Sequence, residues 1–202
     1  MVLLLAVAAG FTAGLVRAGI EKEYYRIPAL SWIGLALLAV IPQLLVFHNN
    51  ATAGWFSDRW AATILVLSQL ALLAFVWANR ELTGMKIFGL GLILNLLVIS
   101  LNGGLMPLSP EVAGILFPEA PASLWTTGFR PGRSKNIILP PGDTRLAFLS
   151  DAILLPAWFP WTRALSAGDL LIALGIFWLL AVEKTREPAN EKKTAQLVER
   201  TV

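Results

Sequence analysis

The run "MKIFGLGLILNLLVISLNGGLMPLSP", Met85 to Pro110, sets the fold. It is apolar as far as Leu101, then meets Asn102, two glycines and two prolines within nine residues. Gly84, Phe88, Gly91, Asn95, Val98 and Asn102 recur at spacings of three and four, which places them on one helical face. Small residues let another helix come close, and amides can hydrogen-bond to it. Gly103 and Gly104 supply the positive φ that ends a helix, and Pro107 and Pro110 keep it from resuming. The stretch therefore reads as a membrane-type helix with a packing face, launched into a separate folded segment.

Composition agrees. The chain has 202 residues, 56% hydrophobic and 14% charged, against about 25% charged in soluble domains. Five apolar segments stand out, at roughly 2–16, 28–47, 60–78, 85–101 and 166–182. A helix needs about 20 apolar residues, with a usual range of ~17–25, to cross the hydrocarbon layer. The second and third segments meet this comfortably. The fourth and fifth lie at the short limit and the first falls slightly below it. The first segment could also be a signal peptide, but no Lys or Arg precedes its apolar run, which favours a retained helix. Trp32, Trp55, Trp60, Trp77, Trp158, Trp161 and Trp178 fall in or beside the ends of segments, as interfacial aromatics do, and only Trp125 does not.

The expected fold is all-α. It is a polytopic membrane protein with about five transmembrane helices and a long folded extracytoplasmic loop before the last. Residues 1–182 form one membrane domain, with the loop or cap at 102–165, and residues 183–202 form a charged cytoplasmic tail. Short loops carry Arg17, Lys22, Arg26, Arg80 and Lys86 on one side and Arg59 alone on the other. This bias puts the N-terminus outside and the tail in the cytoplasm.

Within the segments, Gln43, Gln69, Asn95 and Asn102 are candidates for polar helix packing, which is preferred to a transport pathway because no charge lies in a segment interior. Pro28 suits the first position of a helix. Ser166 and Asp169 match a capping box, a complete structural reason for that carboxylate.

Residues 103–165 are too many and too apolar for a plain turn. The run Leu146–Leu155, interrupted by Ser150–Asp151, is too short to span and reads as re-entrant or interfacial. Arg130, Arg133, Lys135 and Arg145 sit among Gly and Pro and could converge on an anion such as a lipid phosphate. The plainer reading makes them headgroup anchors and internal partners of Asp143 and Asp151. The loop's acids Glu111, Glu119, Asp143 and Asp151 make only a weak acid–base or metal constellation. The chain has no cysteine, which excludes disulfides and thiolate chemistry, and its single histidine excludes a two-histidine metal site. His48 ends the second segment, where an interfacial or helix-dipole role outweighs axial ligation of a haem or chlorophyll. The small net charge of +3 does not suggest nucleic-acid binding.

The stretches "GLVRAG", "PQLLVF", "NGGLMPLSP", "TRLAFLSDAILLP" and "SAGDLLIALG" together resemble an uncharacterised bacterial integral-membrane family, a domain of unknown function, over nearly the whole chain to Val182. Histidine-lysine-histidine is frequent in that family where this chain has Arg133-Ser134-Lys135-Asn136, so histidine chemistry is not expected here. The resemblance implies a bacterial inner-membrane protein and no known activity. The leading expectation is a structural or accessory membrane protein, such as a subunit of a larger complex. Its partners would be membrane lipids and other membrane proteins, with no intrinsic cofactor. The alternatives are an enzyme or transporter handling an anionic lipid or lipid-linked group at the outer leaflet, with Asp143 or Asp151 as acid or base, and a pigment-, haem- or quinone-binding subunit.

Overall fold

A computed structural model describes residues 2–49, 52–156, 158–159 and 162–183. Among them are six α-helices: α1 Val2–Glu21, α2 Ile33–Phe47, α3 Asp58–Ala78, α4 Thr83–Leu101, the short α5 Pro110–Leu116 and α6 Ala167–Ala181. The expected tail beyond Glu183, and Trp161, lie outside the described residues.

Close glycine contacts fix how the long helices pack. A Cβ on Gly84 would meet the Gly175 carbonyl at 2.7 Å, and one on Gly91 would meet the Gly168 carbonyl at 2.6 Å. The two pairs lie seven residues apart on each helix and in opposite order, so α4 and α6 are antiparallel. Gly10 lies against Phe177 and Gly14 against Leu180, so α1 runs parallel to α6 on its other side. Gly89 meets Val76 and Gly104 meets Ala62, which sets α3 antiparallel to α4. Gln43 of α2 donates to Ser68 of α3 at 2.8 Å. The helices thus stand in the order α1, α6, α4, α3, α2, and the connection between α4 and α6 emerges at one end of the bundle.

Two segment lengths reverse the sequence expectation. α1 continues past Val16 to Glu21 and stops where Lys22 adopts φ 55°. α2 begins at Ile33, not at Pro28, and loses the five residues that made it look comfortable. The reason is a long-range tether. The Asn79 side chain accepts from the Ser31 N–H at 2.8 Å and donates to the Ser31 carbonyl at 2.9 Å, and Trp32 then takes a left-handed turn with φ 60°. α1, α3 and α4 are long and apolar enough to cross a membrane, while α2 and α6, at 15 residues each, are apolar but shorter. The helix runs on through Pro42.

The cap departs from an all-α expectation. β1 Met106–Leu108 pairs in parallel with β2 Asn136–Ile138, and β3 Ile153–Leu154 pairs antiparallel with β4 Ala164–Leu165. The protein is mostly helical, with these small sheets tying the cap together. The apolar run at 146–155 forms no re-entrant helix. It breaks into a 3-10 turn at Ala147–Leu149 and strand β3. Leu149 plugs a core formed by Leu65, Val98, Ile99, Leu105 and Met106, so the cap and the ends of α3 and α4 share one hydrophobic cluster.

Candidate functional site at the cap–bundle junction

The polar stripe on α4 leads to the site. Asn95 is buried and donates from Nδ2 to Asp169 Oδ1 at 2.8 Å. Its Oδ1 accepts from the Ser166 hydroxyl at 2.8 Å. Gly168 makes room for this amide, since a Cβ there would lie 2.1 Å from Asn95 Oδ1. Ser166 and Asp169 form the expected capping box: the Ser166 Oγ accepts from the Asp169 N–H at 2.9 Å, and Asp169 Oδ2 accepts from the Ser166 N–H at 3.4 Å. The cap adds what the box did not announce. Lys135, one residue before β2, sets its ammonium 3.3 Å from Asp169 Oδ2 and 3.4 Å from Asp151 Oδ2. Asn136 donates to Asp151 Oδ2 at 2.7 Å.

Two carboxylates therefore share one ammonium. Burial alone would depress the Lys135 pKa, but the charges of Asp151 and Asp169 outweigh it and hold the amine protonated well above its ordinary range. Burial raises the pKa of Asp151; Lys135 opposes this and Asp169 adds to it. Asp151 keeps only 4% of its side-chain surface, against 23% for Asp169 and 35% for Lys135. The Ser166 hydroxyl is committed in both directions, to Asn95 and to the helix cap, so it is not presented as a nucleophile.

Two further tethers close the cap. Asn102 donates to the Val98 and Arg145 carbonyls and accepts from the Arg145 N–H at 2.9 Å. Arg130 is buried, pairs with Asp58 of α3 at 2.9 Å, donates to the Ser134 and Arg133 carbonyls and lies over the Phe47 ring.

The four sequence-selected cations are thus not gathered on one open surface. Arg130 and Lys135 face acids of their own chain. Arg133 is exposed with its guanidinium against Gly54, and Arg145 is exposed and held through its backbone. Asp143 is exposed, while Asp151 is in the cluster. Gln43 joins α2 to α3, and Gln69 is buried on α3. His48 is exposed at the end of α2, its N–H bonded to the Leu44 carbonyl. Among the described residues no group of three or more His, Asp or Glu is placed to hold a metal ion.

Sequence reasoning missed the opposite end of the bundle. There Arg17 reaches the Val182 carbonyl, Tyr25 donates to the Leu180 carbonyl at 3.0 Å, and the Glu183 carboxylate accepts from the Thr83 and Gly84 N–H groups, each at 3.2 Å. The signal in hindsight is the arginine of "GLVRAG", read above only as part of a motif and as a loop charge.

Such a frame defines a class: a bundle of apolar helices, three of them long enough to cross a membrane, closed at one end by a small mixed α/β cap on a buried ionic cluster. The chain belongs to DUF5317, a family of unknown function, which it matches over residues 28–181. That range holds α2 to α6 and every residue of the cluster. An uncharacterised protein of Thermotoga maritima is 29% identical over 121 residues, which cover 58% of this chain and 62% of that relative. The match thus spans about three fifths of the relative's length. No solved structure matches the chain.

Proposed function

We propose that this chain is a five-span protein of the bacterial cytoplasmic membrane with a structural or accessory role, a subunit of a larger membrane complex. One observation carries the reading: the charges that point inward, Lys135 and Arg130, are met by Asp151, Asp169 and Asp58 of the same chain. Among the described residues this polar chemistry holds the cap on the bundle. α2 and α6 would span in spite of their length because each packs against a longer crossing helix, and a bilayer thins or residues snorkel to meet a short span at modest cost. Arg17, Lys22, Arg26, Arg80 and Lys86 belong to the end opposite the cap, which favours a cytoplasmic position for that end. The cap then lies outside. Trp55, Trp60 and Trp158, all highly exposed, suit the headgroup layer.

The test is purification from native membranes in a mild detergent, followed by native mass spectrometry. The reading expects the chain in a stoichiometric assembly with other membrane proteins. Recovery as a lone monomer overturns it.

A second reading, capture of an anionic lipid headgroup at the outer leaflet, draws on the exposure of Arg133 and Arg145. It expects Arg133→Ala with Arg145→Ala to weaken binding to phosphatidylglycerol vesicles, and unchanged binding removes it.

A further inference from the structure

The two carboxylates on Lys135 are not equivalent. Asp169 is dressed as an anion: Oδ1 accepts from Asn95, and Oδ2 accepts from Lys135 and from the Ser166 N–H. Asp151 is dressed on one side only. Its Oδ2 accepts from Asn136 and faces Lys135, while Oδ1 is buried with no hydrogen-bond partner among the described residues. With both acids ionised the cluster carries two negative charges against one positive, and Asp151, at 4% exposure, is the member nearly shut off from water. An isolated buried charge is the costly state, and a group so placed takes up or gives off a proton in preference.

We infer that Asp151 is a proton-binding site, so that the cap–bundle junction is electrically neutral when it is occupied and carries a net negative charge when it is empty.

The groups that act on this site come from each element around it. β2 and its approach supply the Lys135 ammonium and the Asn136 amide, and α6 supplies the Asp169 carboxylate. α4 supplies the neutral Asn95, which reaches the site only through Asp169. Occupancy therefore depends on one cation and one anion, both fixed by hydrogen bonds. The direction of the stability effect follows from burial, which raises the proton affinity of Asp151 on folding. A carboxyl of this kind contributes its full stabilisation below its unfolded pKa and loses it as pH rises through the folded value. The contribution of Asp151 to holding the cap therefore falls as pH rises through its raised folded pKa. The inference concerns the cluster alone and stands whether or not the chain works within a complex.

The chain has four aspartates, Asp58, Asp143, Asp151 and Asp169, which makes the site accessible to a direct measurement. The full-length protein, labelled with 13C at the aspartate carboxyl carbon and held in detergent micelles, is titrated by NMR. One of the four signals is expected to titrate well above the ordinary aspartate range and to be missing in Asp151→Asn. Asparagine imitates the protonated carboxyl, so this variant is expected to fold and to lose the rise in proteolysis of residues 130–156 that accompanies deprotonation of Asp151. Four signals titrating in or below the ordinary range overturn the inference, and so does a high-titrating signal that persists in Asp151→Asn. Should that variant not fold, Asp143→Asn and Asp58→Asn leave two signals, and the inference requires one of these to stay high.

Discussion

The two ends of α6 solve one problem in opposite ways. Both must satisfy backbone groups of a short apolar helix, and both recruit charged residues from elsewhere in the chain. At the cap end the charges are buried and answer each other: Asp169 is bound by Lys135 and Asn95 while it caps the helix. At the far end the charges answer the backbone: Arg17 and Tyr25 take the last carbonyls of α6, and Glu183 takes the first N–H groups of α4. Between them the contact is almost pure shape, glycine on glycine. Dielectric surroundings decide what each end is worth. A charged contact within a buried set is expensive to break, whereas a partly exposed charge at a helix end is worth about 0.3–1 kcal/mol.

Substitutions can break that contrast, and their expected effects fall in order. Lys135→Met should be the most damaging. It takes the ammonium from Asp169 and from the almost wholly buried Asp151, with a loss of about 3 kcal/mol, the low end for a buried pair because Lys135 is itself 35% exposed, read as a fall in thermal midpoint and early proteolysis of the cap. Retention of wild-type stability would mean that the cluster is hydrated. Gly168→Ala comes next: its Cβ would collide with Asn95 Oδ1 and the Gly91 carbonyl, both backed by packed helices, at about 1–3 kcal/mol. The same change at Gly19, where a Cβ meets nothing, should leave the melting curve in place. Asn102→Ala removes the clasp on Arg145 and should cost about 1–3 kcal/mol, with faster hydrogen exchange at 143–149 as its signature. Glu183→Gln should do least, about 0.3–1 kcal/mol, and its effect should shrink with added salt. If Glu183→Gln proved as harmful as Lys135→Met, the two ends would not differ as described.

What could be read in the sequence was periodic and local. The α4 face of Gly84, Gly91, Asn95 and Asn102 follows from helical spacing, and each of these residues is buried where the stripe placed it. The Ser166–Asp169 box is four residues long and needs nothing distant. The start of α2 was illegible because Asn79, nearly fifty residues further on, decides it. The cap strands span two or three residues each, too few for an alternating pattern to register. For Lys135 the sequence favoured the chain's own Asp143 and Asp151 over an anion; Asp151, 16 residues ahead, does face it, but Asp169, 34 residues ahead, was accounted for by its helix cap and gave no sign of a second partner.

The place of α6 in chain order has a consequence for assembly. Lys135 leaves the ribosome before Asp169, and Asn95 long before either. At about 5–20 residues per second, the interval between the lysine and its second acid is a few seconds. Until α6 arrives, Asn95 on α4 has no partner, and the cap's ammonium has Asp151 at most. The last helix is therefore the keystone of the bundle. It brings the glycines that accept α4, the carboxylate that fixes the cap and the carbonyls that receive Arg17. A chain stalled before Ser166 would hold most of its hydrophobic surface but lack the α4–α6 seam, the Asp169 contact and the seat for Arg17, a form that a quality-control protease could tell from the finished protein.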